Sequence, residues 1–318
     1  MKLFFFVAIV IASFSIFAQV TDKETDLRKL RNDSIDGWKR GGMFTLAFSQ
    51  VSLSNWAAGG ENSFSGNSVV NSFANYKKDK ITWDNNLDLG YGIMKQGSQN
   101  IRKTDDKIDF SSKFGRKLTP SSFVAALFNF KSQFMPGYNY PNDSIAISKF
   151  MAPGYMLFAA GYDYKKKDFL SLFFAPVTGK MTIVNDATLS NAGAFGVEPA
   201  VYDAVDSTLI LTAGKRTRLE FGGYFKGAFT KDIMTNVKLT TKLELFSNYL
   251  KTPQNIDVYW ETAIGMKVNK YISVTIGTTL VYDDDIMIEL KDAAGNITGS
   301  GPRTQFKEVF GLGFSYKF

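Results

Sequence analysis

Two pairs of carboxylates are the first places where chemistry could sit. Asp84 and Asp88 are spaced by four residues, as are Asp257 and Glu261. On an extended chain that spacing puts both members of a pair on one face of a strand, because alternate side chains share a face. Paired carboxylates do acid–base work when their surroundings push their pKa values apart. The usual companions are missing, because the 318-residue chain contains no histidine and no cysteine. Without histidine, neither a serine–histidine nor a histidine–aspartate hydrolytic centre can be assembled. Without cysteine there is no disulfide, thiolate metal site, cysteine nucleophile or lipidated N-terminal cysteine. Lysines and arginines elsewhere on the same faces make ion pairing the better account of both carboxylate pairs. The run Asp283-Asp284-Asp285 offers oxygen ligands to calcium but lacks the spaced pattern of an EF-hand loop, and it reads as a solvated loop. Gly311 and Gly313 lie in a strand with no helix after it, so they are not a nucleotide loop. The residues therefore predict no enzyme: no catalytic, cofactor or metal site.

The elements that carry these residues have a period of two. Ile81, Trp83, Leu87, Leu89, Tyr91 and Ile93 alternate with Thr82, Asp84, Asn86, Asp88, Gly90 and Gly92. The same alternation sets Ile256, Val258, Trp260, Ile264 and Met266 against Asp257, Glu261 and Lys267, and Leu219, Phe221 and Phe225 against Arg218, Glu220 and Lys226. Twelve such runs can be traced, starting near Phe44, Val69, Ile81, Ile108, Val124, Met156, Phe169, Leu219, Ile233, Ile256, Ile272 and Phe306. Tight connections at 77–80, 117–121, 165–168, 230–232 and 269–271 alternate with long ones at 55–63, 95–106, 135–152, 185–215, 247–254 and 283–302. Short turns at one end and long loops at the other predict an all-β fold, a transmembrane antiparallel up-and-down β-barrel of about 12 strands. A soluble barrel or sandwich shares the alternation but has less use for strands of twelve or more residues, when about ten cross a bilayer. The end of the chain favours the membrane. Phe310, Leu312, Phe314, Tyr316 and Phe318 form an unbroken apolar face ending on an aromatic residue, similar to the assembly signal of bacterial outer-membrane barrels. Left as an open edge in water, that face would invite aggregation.

Residues 1–18 read as a secretory signal peptide, with Lys2 ahead of an apolar run of about fifteen residues that ends at Ala18. The segment 19–40, charged and turn-rich, is expected in the periplasm, and 41–318 as the barrel. No later stretch has eighteen consecutive apolar residues, so no membrane-spanning helix is expected. The net charge of +7 includes basic turns, Lys77-Lys78-Asp79-Lys80 and Lys165-Lys166-Lys167, that are read as solubilising or as meeting anionic headgroups. Nucleic acid is not an expected partner in this compartment.

The stretch 37–71 contains Trp38, a strand with Leu46, Phe48 and Gln50, and the run Asn55-Trp56-Ala57-Ala58-Gly59-Gly60. It resembles the opening of an uncharacterised family of outer-membrane β-barrels of the Bacteroidota, a domain of unknown function. The resemblance implies a fold and a compartment, the bacterial outer membrane, and carries over no catalytic residues. Asp33-Ser34-Ile35 and Asp143-Ser144-Ile145 are similar to the three-residue O-glycosylation site of that phylum. Trp56 has a ring suited to the membrane interface, or to contact with a partner.

Two functional readings follow. The inward positions Asp84, Asp88, Lys107, Asp109, Lys113, Lys131, Arg218, Glu220, Lys238, Lys242, Glu244, Asp257, Glu261 and Lys267 carry both signs. A selective channel prefers a ring of one sign, so mixed signs predict cross-lumen salt bridges and a narrow or closed interior. Between Phe169 and Phe174 both faces are apolar, which predicts contact with a plug segment or a partner. The long loop 185–215 supplies candidates for plug or partner contact in Phe195, Val197, Leu209, Ile210 and Leu211. The first reading is an accessory or interaction subunit of a larger outer-membrane assembly, and the alternative is a porin-like pore for small solutes. The partners expected are outer-membrane lipid, the barrel-assembly machinery during insertion, and other outer-membrane or periplasmic proteins.

Overall fold

The computed structural model describes residues 36–54, 60–167, 169–269, 272–291 and 297–317. Twelve long strands form the barrel: β1 Gly37–Val51, β2 Ser63–Lys78, β3 Ile81–Gln96, β4 Arg102–Thr119, β5 Ser122–Ser132, β6 Gly154–Lys166, β7 Leu170–Ile183, β8 Thr217–Met234, β9 Val237–Asn248, β10 Ile256–Lys267, β11 Ile272–Tyr282 and β12 Gln305–Lys317. Each pairs antiparallel with its neighbours in sequence, and β1 closes the ring on β12. The closing register sets Phe44 opposite Tyr316 and Leu46 opposite Phe314. Closure satisfies the edge groups that an open sheet would leave bare, a requirement in lipid. The fold is thus the up-and-down barrel that the alternating pattern predicts, with β1 beginning at Gly37, inside the segment assigned to the periplasm.

Two faces follow from the registers. Phe44 pairs with Val70, Val70 with Leu89, Leu89 with Ile108, and this row looks outward: Phe44, Leu46, Phe48, Trp83, Phe114, Phe158, Phe174, Leu219 and Trp260 are all exposed. Their neighbours Thr45, Asn67, Asn71, Asp84, Asp163, Thr178 and Glu220 are buried. A polar interior inside an apolar exterior is the inverse of a soluble domain, and it is the solution lipid imposes. Aromatic residues gather towards both ends of the exterior. Trp38 stacks near Tyr76 and Trp83, with centroids 5.3 and 5.6 Å away, at the tight-turn end. Phe48 meets Phe64 at 5.1 Å at the long-loop end. Ten residues of a strand rising about 3.3 Å each, tilted by about 40°, give a band about 25 Å tall between those rings, the height of an outer-membrane apolar belt.

Two local features depart from the sequence reading. The connection expected at 230–232 lies at 235–236, because Thr230, Lys231 and Asp232 stay in the ladder opposite Thr240, Leu239 and Lys238, and Asn236 takes the left-handed φ of 61° that the turn needs. Within the chain, the doubly apolar stretch of β7 packs on the barrel's own strands and not on a plug segment. A bulge opposite Ala160–Tyr162 shifts its parity, so Leu170, Leu172 and Phe174 face outward while Phe173, 1% exposed, points inward. There it joins Ala125, Leu127, Ala159, Ala175, Tyr224 and Phe246 in an apolar cluster on the lumen wall. Phe169 meets Phe229 edge to face, with ring centroids 6.2 Å apart. Gly161 permits the bulge: a Cβ there would lie 2.0 Å from the carbonyl oxygen of Phe174.

Among the described residues no helix is long and apolar enough to cross a membrane. The long loops carry short structure of their own, including a helix α1 at Ala187–Asn191.

Candidate functional site

Charged side chains from distant parts of the sequence converge in the lumen. Strand alternation puts them there, and ion pairs tie them in three tiers. At the tight-turn end, Asp163 binds Lys113 at 2.7 Å and Lys165 at 3.4 Å, and Lys165 also reaches Asp84 at 3.3 Å. Halfway up, Glu244 lies 3.2 Å from Lys131 and 2.6 Å from Lys226. Lys107 bridges Asp109 and Glu261 at 3.8 and 3.9 Å, and the Tyr259 hydroxyl donates to Glu261 at 2.6 Å. At the long-loop mouth, Lys180 sits among Asp257, Glu220 and Asp283 at 2.6, 3.6 and 3.6 Å. Arg218 holds Glu220 at 3.0 Å and Asp285 at 2.6 Å.

Several of these pairs join strands that are not neighbours. Lys131 on β5 meets Glu244 on β9, Lys107 on β4 meets Glu261 on β10, and Lys180 on β7 meets Asp257 on β10. Such contacts exist only by crossing the interior. They span the lumen with paired charge, the cross-lumen salt bridges that the mixed signs predict. Between the middle tier and the mouth remains a cavity of about 260 Å³, lined by Lys131, Tyr155, Lys180, Glu244, Tyr259 and Asp283 among others.

Each carboxylate weighed for acid–base work is engaged: Asp84 by Lys165, Asp257 by Lys180 and Glu261 by Lys107, while Asp88 accepts from the Asn71 amide at 2.6 Å. Asp283, Asp284 and Asp285 are not a solvated loop. Asp283 and Asp285 close the mouth tier through Lys180 and Arg218, and Asp284 accepts from Asn255 at 2.6 Å. No group of three potential metal ligands occurs among the described residues. Lys165, read as part of a basic turn, instead points into the lumen. The alternation of Asp163 and Lys165 with the outward Tyr162 and Tyr164 was a usable signal for this. Lys180 was hidden by the β7 bulge, and Asp283 and Asp285 by their place just past a strand end.

The loop 185–215 divides in two. Val197 is buried with Ala152, Val184 and Leu189, and Phe195 packs at the edge of that small core. Leu209, Ile210 and Leu211 are exposed on a ladder formed by Ile210–Thr212 with Val201–Tyr202. The loop also touches the mouth. Gly196, at φ 77°, sits so close to Arg218 that a Cβ would lie 2.4 Å from the guanidinium Nη1. At the root of the loop, Asp186 caps α1 through the Leu189 N–H at 3.0 Å and accepts from Lys149 at 2.5 Å. The bond from Lys149, with that from Leu189, holds the Asp186 carboxyl below its usual range. Trp56 and Phe318 lie outside the described residues, and of Phe310, Leu312, Phe314 and Tyr316 the structure describes only the backbone, in β12 beside β11 and β1.

Residues 48–138 match a family model described as a protein of unknown function (DUF3078). The match runs from the end of β1 past β5, less than a third of the chain. A comparison with curated proteins finds no match. Among solved structures, an outer membrane channel from Pseudomonas putida F1 is similar at 10% identity over 90% of this chain and 97% of that one, with a TM-score of 0.40. The translocator domain of the autotransporter NalP from Neisseria meningitidis is similar at 10% identity over 95% and 99%, with a TM-score of 0.37.

Proposed function

We propose that this is a non-enzymatic outer-membrane barrel that serves as an accessory or interaction subunit of a larger assembly, exported by its leader and inserted through its C-terminal aromatic strand. The observation that carries the reading is the set of ion pairs crossing the lumen between non-neighbouring strands. Permeation needs a continuous wet path, and selectivity prefers a ring of one sign. Here the charges are spent on one another, which supports a closed scaffold with its loops as the working surface. The exposed Leu209, Ile210 and Leu211 are the residues offered for contact.

The alternative is a narrow, gated pore, favoured by the cavity between the tiers. One experiment separates the two. The protein is purified from its native membrane in mild detergent with a tag after Ala18, clear of the C-terminal strand, and its partners are identified by mass spectrometry. Stoichiometric partners with no conductance in planar bilayers support the subunit. A single species that conducts overturns it in favour of the pore.

A further inference from the structure

Five basic side chains stand on the outer face at the tight-turn end, one each on β1, β2, β4, β6 and β8. The registers fix their direction. Lys78 pairs with Ile81, Ile81 with Arg116, Arg116 with Val124 and Val124 with Tyr162, and Ile81, Val124 and Tyr162 are exposed members of the outward apolar row. Lys166 pairs with Leu170 and Lys231 with Leu239, in the outward rows of β7 and β9. Arg40 lies two residues from Trp38, its guanidinium 5.8 Å from the indole centroid. All five are exposed, and none takes part in a salt bridge among the described residues. The acids nearby do not balance them. Asp79 is in a turn, and Asp232 belongs to the lumenal face, 3.7 Å from Lys238.

Arg40 and Lys78 lie two residues from Trp38 and Tyr76 of the aromatic cluster, and Arg116 pairs with Ile81, two residues from Trp83. Lys166 lies 5.9 Å from the Phe169 ring centroid. Aromatic rings at headgroup depth, with long basic side chains reaching past them, are how a barrel exterior meets the boundary between acyl chains and phosphates. A rim of one sign selects headgroups of the other. We propose that this rim is a binding belt for anionic phospholipid, of the phosphatidylglycerol type, in the leaflet facing the tight turns. The inference rests on the membrane reading and adds the chemical class of lipid recognised.

The test uses the rim's own tryptophans. In a Trp56→Phe/Trp260→Phe background, the two remaining of the four tryptophans are Trp38 and Trp83. The full barrel is reconstituted in phosphatidylcholine vesicles containing the same small fraction of either brominated phosphatidylglycerol or brominated phosphatidylcholine. Enrichment at the rim makes the anionic quencher about twofold more effective at low salt, and the gap narrows in concentrated salt. Replacing Arg40, Lys78, Arg116, Lys166 and Lys231 by glutamine removes the gap. If that variant fails to fold, the salt series on the parent barrel decides. Equal quenching by both lipids overturns the belt while leaving the membrane reading intact. No quenching by either lipid shows that the barrel is not in the bilayer and overturns both.

Discussion

At the scale of single residues, the consequential feature is that one lysine holds three acids at the mouth. Lys180 stands between Asp257, Glu220 and Asp283. Removing one partner of a buried ion network leaves charge without compensation, typically a loss of 3–5 kcal/mol. Lys180→Ala should therefore lower the urea-unfolding stability by about 3 kcal/mol. A second change, Asp257→Asn, should recover part of it, since one excess carboxylate is then gone. Asp186 gives a pH dependence. Its pKa is depressed in the folded protein, so its contribution is present above the unfolded carboxylate value and is lost as pH falls through the lower folded one. Nicking of the loop 185–215 by an acid-active protease should rise across that acidic window. Asp186→Asn, which keeps a capping oxygen but no charge, should flatten the profile and raise nicking at neutral pH.

At the scale of elements, two glycines mark where backbone meets another group too closely for a side chain. Gly161 sits where β7 bulges against β6, with the Phe174 carbonyl in the space a Cβ would fill. Gly161→Val should block formation of the β6–β7 pair, read as loss of the heat-modifiable folded band on electrophoresis. Gly196 is where the long loop rests on Arg218. Gly196→Ala must move both backbone and guanidinium, a cost of about 1–3 kcal/mol. Because that cost falls on a loop, the expected readout is faster hydrogen exchange in 194–198 with the barrel's unfolding midpoint unchanged. The carboxylate pairs, legible as one-faced from their spacing, show why faces can be read and partners cannot. A period of two assigns a side chain to the lumen, but its ion-pair partner lies on a strand dozens of residues away.

At the scale of the whole molecule, the barrel is a ring braced across its middle. If the cross-lumen pairs are what obstruct it, the parent protein should show little or no conductance in planar bilayers. Lys131→Ala/Glu244→Ala, which removes both ends of one brace and with them the contact from Lys226 to Glu244, should open measurable steps. Deleting 194–211 separates two roles for the long loop. New conductance would mark it as a plug, and loss of co-purifying partners at unchanged conductance would mark it as a docking loop.

The sequence by itself determined a strand number of about twelve, the antiparallel order, the two faces and the lumenal position of most charged residues, because a strand's period is local and lipid imposes an apolar exterior on every strand alike. It misplaced one turn by a few residues and missed the lumenal Lys180, because the β7 bulge changes parity without leaving a mark in the pattern. Only the tertiary structure decided which acid meets which base, that Asp283 and Asp285 bind lumenal cations, and that Gly196 rests on Arg218. Those contacts depend on which strands the closed ring brings face to face, and that is a property of the ring, not of any one strand.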